Sequence, residues 1–267
     1  MAGGQSMIRV GIGGWTFEPW RDNFFPKGLP HARELEYASR QVTSIEVNGT
    51  FYRTQTPSTF RKWADQTPDD FIFSLKAPRF TTNRRVLAEA GSSIAKFLES
   101  GVDELGEKLG PILWQFPPTK AFNPEDFGAF LALLPKDVNA RPLRHAVEVR
   151  HDSFLAEEFI ALTRRHEVAV VLADSAKYPL IADLTGPFVY ARLQQAREDE
   201  KTGYSAKELE AWRERARLWE EGKPADDLPL IAKALQPAKR DVFVYMINGA
   251  KVRAPAAAMA LLEQLQG

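Results

Sequence analysis

The sequence predicts an α/β protein, a single closed (β/α)8 barrel, on three observations. Its 267 residues are close to the roughly 250 of one such barrel. Eight short apolar runs alternate with stretches of helical period. Several of the runs are apolar almost throughout, as expected of parallel strands covered on both faces. Alternating strands and helices also suit an open doubly wound sheet; the count of eight selects the barrel.

The strands are expected at residues 8–13, 44–48, 71–75, 112–116, 146–150, 169–173, 188–193 and 242–247, with helices between them. Pro57 opens a helix to residue 66 that carries Phe60 and Trp63 three apart. Asn123-Pro124 reads as an N-cap followed by proline at the first helical position. Ser153 is expected to cap a helix over 154–166, and Pro255 to open the last one over 256–265. The connection between the seventh and eighth strands is far longer than the usual two to six residues. It holds a mixed-charge loop, 195–204, then Ser205-Ala-Lys-Glu208, which matches a capping box. A long helix follows to about residue 221. The loop reads either as a simple connection or as a lid over the strand ends, since long loops at barrel tops are often functional. Residues 8–267 are expected to form one domain, and residues 1–7 a flexible leader with Met7 open as an alternative start.

Composition removes several classes. With no cysteine there are no disulfides, thiolate metal sites or cysteine nucleophiles. Thirty-five basic residues balance thirty-five acidic ones, so no global field draws the chain to nucleic acid or an anionic membrane. No apolar run approaches the ~20 residues of a membrane helix, and residues 1–6 lack the charged and apolar regions of a secretory leader. The expected location is the cytoplasm. The four histidines show no metal spacing. Neither a nucleotide-binding glycine loop nor a nucleophile elbow is present, so no cofactor and no metal are expected.

The loops after barrel strands build the active face, so the residues that end each strand are the candidates. Side chains alternate along a strand. Glu46 therefore shares a face with Asn48, Glu148 with Arg150, and Arg192 with Tyr190 and Gln194. The valines around Glu148 face the helices, which turns its carboxylate into the barrel. A buried carboxylate is costly unless paired, and the cations on offer are Arg150, Arg192 and Lys76. A charged network is thus expected to close the top of the barrel. It reads as a satisfied structural cluster, or as two carboxylates in different environments serving as acid and base, with the cations holding an anion. On the second reading Glu46 and Glu148 are catalytic. Trp15, Asn48, Tyr52, Lys76, Gln115, Arg150, Arg192 and Asn248 bind the ligand. The aromatics Trp15, Trp20, Phe51, Tyr52, Trp114 and Tyr204 are expected at the same level, as apolar cover or as a stacking surface.

Gly11-Ile-Gly-Gly-Trp15, Glu46-Val-Asn48-Gly-Thr-Phe51-Tyr52-Arg53, Lys76-Ala, Leu113-Trp-Gln115-Phe-Pro117-Pro118 and Glu148-Val-Arg150-His151 together resemble the YecE-like family. That is a "domain of unknown function" family, numbered seventy-two. The likeness runs in order from about residue 8 to 174 and more weakly beyond. It implies a TIM-type barrel and no settled activity. The family usually shows Arg-x-His-Gly after the seventh strand, where this chain has Arg192-Leu-Gln194-Gln195. A common Thr-His pair is here Thr82-Asn83, and an Asn-rich run near the eighth strand is thinned to Asn248-Gly249. A family mechanism through those imidazoles, metal binding included, is not expected of this chain.

Three functions stand in order: an enzyme acting on a small anionic or phosphorylated substrate, a nucleic-acid-binding or phosphodiesterase-type barrel, and a non-catalytic ligand-binding protein. Balanced net charge and the scarcity of histidine at strand ends place the second below the first. A small anionic ligand is the expected partner, and a membrane is not.

Overall fold

In the structure, a computed structural model that describes residues 7–267, eight parallel strands close on themselves. They are β1 (Ile8–Gly13), β2 (Ser44–Val47), β3 (Ile72–Lys76), β4 (Leu109–Gln115), β5 (Arg144–Glu148), β6 (Ala169–Asp174), β7 (Phe188–Leu193) and β8 (Asp241–Met246). Each pairs with its neighbours in sequence, and β1 pairs with β8 to complete the ring. The expected strands are all present; several shift by one to three residues at an end. The expected leader falls largely on residues 1–6, which lie outside the described residues. Met7 is already tied down, its carbonyl accepting from the Val242 N–H at 3.1 Å.

Alternation sorts the side chains into two cores. Ile72, Leu113, Ala146, Val171, Phe188, Tyr190, Phe243 and Tyr245 fill the lumen. Val10, Ile45, Phe73, Trp114, Val147, Leu172, Val189 and Val244 face the helices. Gly11 is on the lumen side because β1 and β2 approach closely there: a Cβ on it would lie 2.2 Å from the Ser44 carbonyl oxygen. Its place in the opening glycine run is thus a packing requirement.

Local signals set the helix ends. The Asn123 side chain accepts from Asp126 N–H and caps the helix Pro124–Leu133. Ser205 and Glu208 form the reciprocal capping box of the long helix Ala206–Glu220. Ser153 does not cap the next helix. The chain makes a 3-10 turn at Asp152–Phe154, capped by His151, before the helix Glu157–Arg165 begins, and Ser153 Oγ instead accepts from Phe122 N–H at 2.8 Å.

The covering layer departs from the ideal in the sixth unit. Residues 175–187 form no helix, because Pro179, Gly186 and Pro187 break the pattern. The chain after the long helix runs back over this segment. Asp183 accepts from the Ile231 and Ala232 N–H groups at 2.8 and 2.9 Å, and Arg240 donates to the Gly186 carbonyl at 3.0 Å. A two-stranded antiparallel ribbon, Asp137–Val138 with Arg141–Pro142, lies outside the barrel. The sequence pattern did not signal it.

Candidate active site at the barrel mouth

The site rises in two layers from the lumen. The lower layer is hydroxylic. Tyr245 and Ser44 hydroxyls lie 2.7 Å apart, and those of Tyr190 and Ser74 lie 2.8 Å apart. Tyr190 also donates to Glu46 Oε2 at 2.7 Å, which joins this layer to the charges above. Burial, and then the Glu46 charge, hold the Tyr190 phenol well above its ordinary pKa, so it stays a donor.

The upper layer is the predicted network. Arg192, only 1% exposed, is its centre. Its Nε and Nη2 each lie 3.0 Å from Glu46, one on each carboxylate oxygen, and its Nη1 donates to Glu148. Arg150 donates from Nε to the other Glu148 oxygen at 2.6 Å, and from Nη2 to Gln115 Oε1 at 2.8 Å. Burial alone would raise the Glu148 pKa, but Arg192 and Arg150 outweigh it and hold the carboxyl below the ordinary value. Burial alone would depress the Arg192 guanidinium, but Glu148 and Glu46 raise it. Both shifts favour the charged forms, so the network is a cluster of paired ions.

Lys76 stands beside this cluster but outside its pairing. Among the described residues its amine has no carboxylate within ion-pair distance and no hydrogen-bond acceptor; it rests 4.1 Å from the centre of the Phe51 ring. Lys76 as a whole is 7% exposed. Burial, then Arg192, push its pKa down to about 8, with Glu46 and Glu148 offsetting part of the effect.

The other expected residues divide. Asn48 is half-buried at the rim, 3.5 Å from the Glu46 carbonyl. Tyr52 is 69% exposed, with the Arg79 guanidinium 5.8 Å from its ring. Trp15 packs edge-on against Trp63 at 5.3 Å. Asn248 joins Gln194 at 3.4 Å on the opposite rim, in a left-handed backbone conformation with φ of 62°. Two of the expected mouth aromatics lie elsewhere. Trp114 alternates outward between Phe97 and Phe130, and Trp20 is sealed among Phe17, Phe24 and Phe25.

Tyr178 was missed. It lies in the helix-free segment after β6, where periodicity is silent, and it holds Arg150 from above: the ring centre is 4.2 Å from the guanidinium carbon and the hydroxyl accepts at 3.3 Å. Ser44 and Ser74 were legible by parity, each two residues before an inward charged side chain. Tyr178 also lines a cavity of about 850 Å³ over the ends of β6, β7 and β8, with Asp174, Gln194 and Asn248 in its floor. The 195–204 loop and the start of the long helix form its outer wall through Arg197, Tyr204 and Glu208. Burial raises the Asp174 pKa, against the hydrogen bond from Gln195 that lowers it. Among the described residues no group of three or more histidine, aspartate or glutamate side chains could hold a metal ion, and no helix is long and apolar enough to cross a membrane.

Fold and site define the class: a closed parallel α/β barrel of TIM type whose C-terminal mouth is lined by charged and polar side chains. The chain belongs to the DUF72 family, "Protein of unknown function DUF72", whose model matches residues 9–267. It is 30% identical over 154 residues to the UPF0759 protein YecE of Escherichia coli K12, covering 57% of this chain and 51% of that protein. To the UPF0759 protein YunF of Bacillus subtilis it is 26% identical over 123 residues, covering 42% and 40%. The chain spans about half the length of the curated relatives it matches.

The solved DUF72 protein of Thermotoga maritima superposes with a TM-score of 0.74 at 22% identity, covering 98% of this chain and all of that one. A DUF72 protein of Enterococcus faecalis superposes at 0.72 and 17% identity, covering 98% and 96%. A xylose isomerase-like TIM barrel/4-hydroxyphenylpyruvate dioxygenase fusion protein superposes at 0.53 and 16% identity, over 97% of this chain and 43% of that one. These likenesses carry the fold alone.

Proposed function

We propose that this chain is a barrel enzyme that takes a small anionic substrate at the mouth, between Lys76 and the Arg150–Gln115 edge of the ion cluster. One observation carries the reading: the charge count at the mouth. Three cations, Lys76, Arg150 and Arg192, face two carboxylates, Glu46 and Glu148, and the surplus positive charge rests on Lys76, which has no ion pair among the described residues. A partly desolvated cation in a low-dielectric mouth attracts an anion far more strongly than one in water.

The roles divide accordingly. Glu46 and Glu148, saturated by arginine donors, orient those arginines and do not form an acid–base pair. Arg150 and Gln115 present a fixed edge for a carboxylate or phosphate. Lys76 contacts the anion and, with a pKa of about 8, exchanges a proton near neutrality.

Calorimetric titration with inorganic phosphate, small carboxylates and sugar phosphates tests this. Saturable binding that weakens tenfold or more in Lys76→Met is the expected result. The saturation of Glu46 and Glu148 also favours a second reading, in which the cluster is a structural plug. Absence of anion binding in the unaltered protein would establish that reading over the first.

A further inference from the structure

We propose that Lys76 is a nucleophilic amine that condenses with the carbonyl group of a small anionic aldehyde or ketone and holds it as an imine at the end of β3. The proposal rests on the anion-binding reading above and names the substrate class. Lys76 is the only lysine of the buried set among the described residues. Its treatment differs from that of partly buried structural lysines. Lys108 donates to the Ala64 and Thr67 carbonyls at 2.6 and 2.8 Å, and Lys120 to those of Arg84 and Arg85 at 2.5 and 2.9 Å. Those amines are spent on the fold. Among the described residues the Lys76 amine keeps no acceptor, and it has an aromatic face against it.

Its backbone, by contrast, is firmly held. Thr50 Oγ1 donates to the Lys76 carbonyl at 2.7 Å, and the Ala77 N–H donates to the Leu113 carbonyl at 2.9 Å. The side chain leaves a rigid strand end on the lumen face. An ammonium kept for charge alone is best served by acceptors. Burial and the nearby Arg192 and Arg150 guanidinium groups favour the neutral, nucleophilic form, in line with a pKa of about 8, and the Phe51 face against the amine offers it no lone pair.

The step balances without a further reagent. The Nζ lone pair forms the C–N bond while the carbonyl π pair moves to oxygen. One nitrogen proton passes to that oxygen to give the carbinolamine. The second nitrogen proton is then lost, the C–O bond breaks, and the oxygen leaves as water with both protons. Protonation of the imine nitrogen restores the positive charge beside the anionic group, which the Arg150–Gln115 edge orients.

The test uses the whole chain with glyoxylate, pyruvate and dihydroxyacetone phosphate, each followed by sodium borohydride, with the adduct located by peptide mapping. The expected result is a reduction-stable adduct on Lys76, formed faster as pH rises through about 8, and none at this position in a cooperatively melting Lys76→Arg variant. No adduct at Lys76, or labelling that only follows the exposure of surface lysines, overturns the proposal. Titration of the unaltered protein with inorganic phosphate and lactate separates the two levels. Binding without trapping overturns the imine and leaves the anion site standing; neither binding nor trapping overturns both.

Discussion

Arg192 grips Glu46 with two parallel hydrogen bonds of 3.0 Å while its remaining terminal nitrogen holds Glu148, so one guanidinium bridges two carboxylates that water cannot reach. Removing it leaves both charges buried with reduced compensation, a defect worth about 3–5 kcal/mol. Arg192→Met is therefore expected to lose stability on that scale in urea unfolding. Arg192→Lys should recover little, because a point charge cannot reproduce a fork that meets both oxygens of Glu46 and reaches Glu148 as well. A Met variant within about 0.5 kcal/mol of the parent would show that the cluster does not hold the barrel top.

His145 sets an acid limit on the fold. Trp114 Nε1 donates to its Nδ1 at 3.1 Å, so the ring proton sits on Nε2, which donates to the Pro135 carbonyl at 2.7 Å. Burial pushes the imidazole down to about 4. A folded-state pKa below the unfolded one means that the unfolded chain binds the proton first. The contribution is therefore complete above about pH 6.5 and is lost as pH falls toward 4, on the order of 3 kcal/mol. Denaturant unfolding of the parent and of His145→Gln across this range should show the parent losing ground as pH drops; parallel curves contradict it.

Lys76 acts at the other end of the pH scale. Its folded-state pKa of about 8 lies below the unfolded value near 10.5, so the fold bears the cost of a desolvated charge at and below pH 8 and is relieved as pH climbs toward 10.5. Lys76→Met is expected to be the more stable protein at pH 7, by on the order of 2–3 kcal/mol. The difference should shrink as pH rises above 8, read from paired unfolding curves. A less stable Met variant at pH 7 would mean that the amine has a partner in solution.

Gly249 ties the outer wall of the cavity to the barrel. It has a φ of 60°, and a Cβ on it would lie 2.7 Å from both the nitrogen and the oxygen of the Ala196 backbone. Gly249→Ala must strain the turn or push the loop away, at a cost of about 1–3 kcal/mol. Hydrogen–deuterium exchange should quicken at the Arg197 and Ala250 N–H groups, which bond to the Gly203 and Ala196 carbonyls, while the barrel strands stay protected. Unchanged exchange in 194–204 would show the wall to be held by other contacts.

Local pattern was enough for what depends on neighbours in sequence. The capping box at Ser205 and the cap at Asn123 are set by residues three positions apart, and both were legible. The Ser153 cap failed because Ser153 lies inside the 3-10 turn that His151 caps, and the helix starts only at Glu157, after Ala156. A helix was expected in the sixth unit and is missing there, where Pro179 and Pro187 break the pattern. What lies over it, residues 231–240, is distant in sequence and left no signal. Tyr178 went unnoticed for the same reason: it sits in a segment with no period.

The amino-acid sequence by itself determined the eight strands and, through the two-residue period, which side chains turn inward: Glu46, Lys76, Gln115, Glu148 and Arg192 all lie on the lumen side, as parity requires. It did not determine who pairs with whom. Arg192, Arg150 and Lys76 were equal candidates for Glu148; Arg150, two residues along the chain, and Arg192, brought across by barrel closure, both take it, and Lys76 does not. The tilt and stagger of the strands bring β7 within reach of β2 and β5 for a guanidinium fork, and leave the β3 amine against Phe51 with no carboxylate in ion-pair distance among the described residues. Inward direction is a local property of the pleat. Pairing across a lumen depends on distances between strands far apart in the chain, and only the closed tertiary structure sets those.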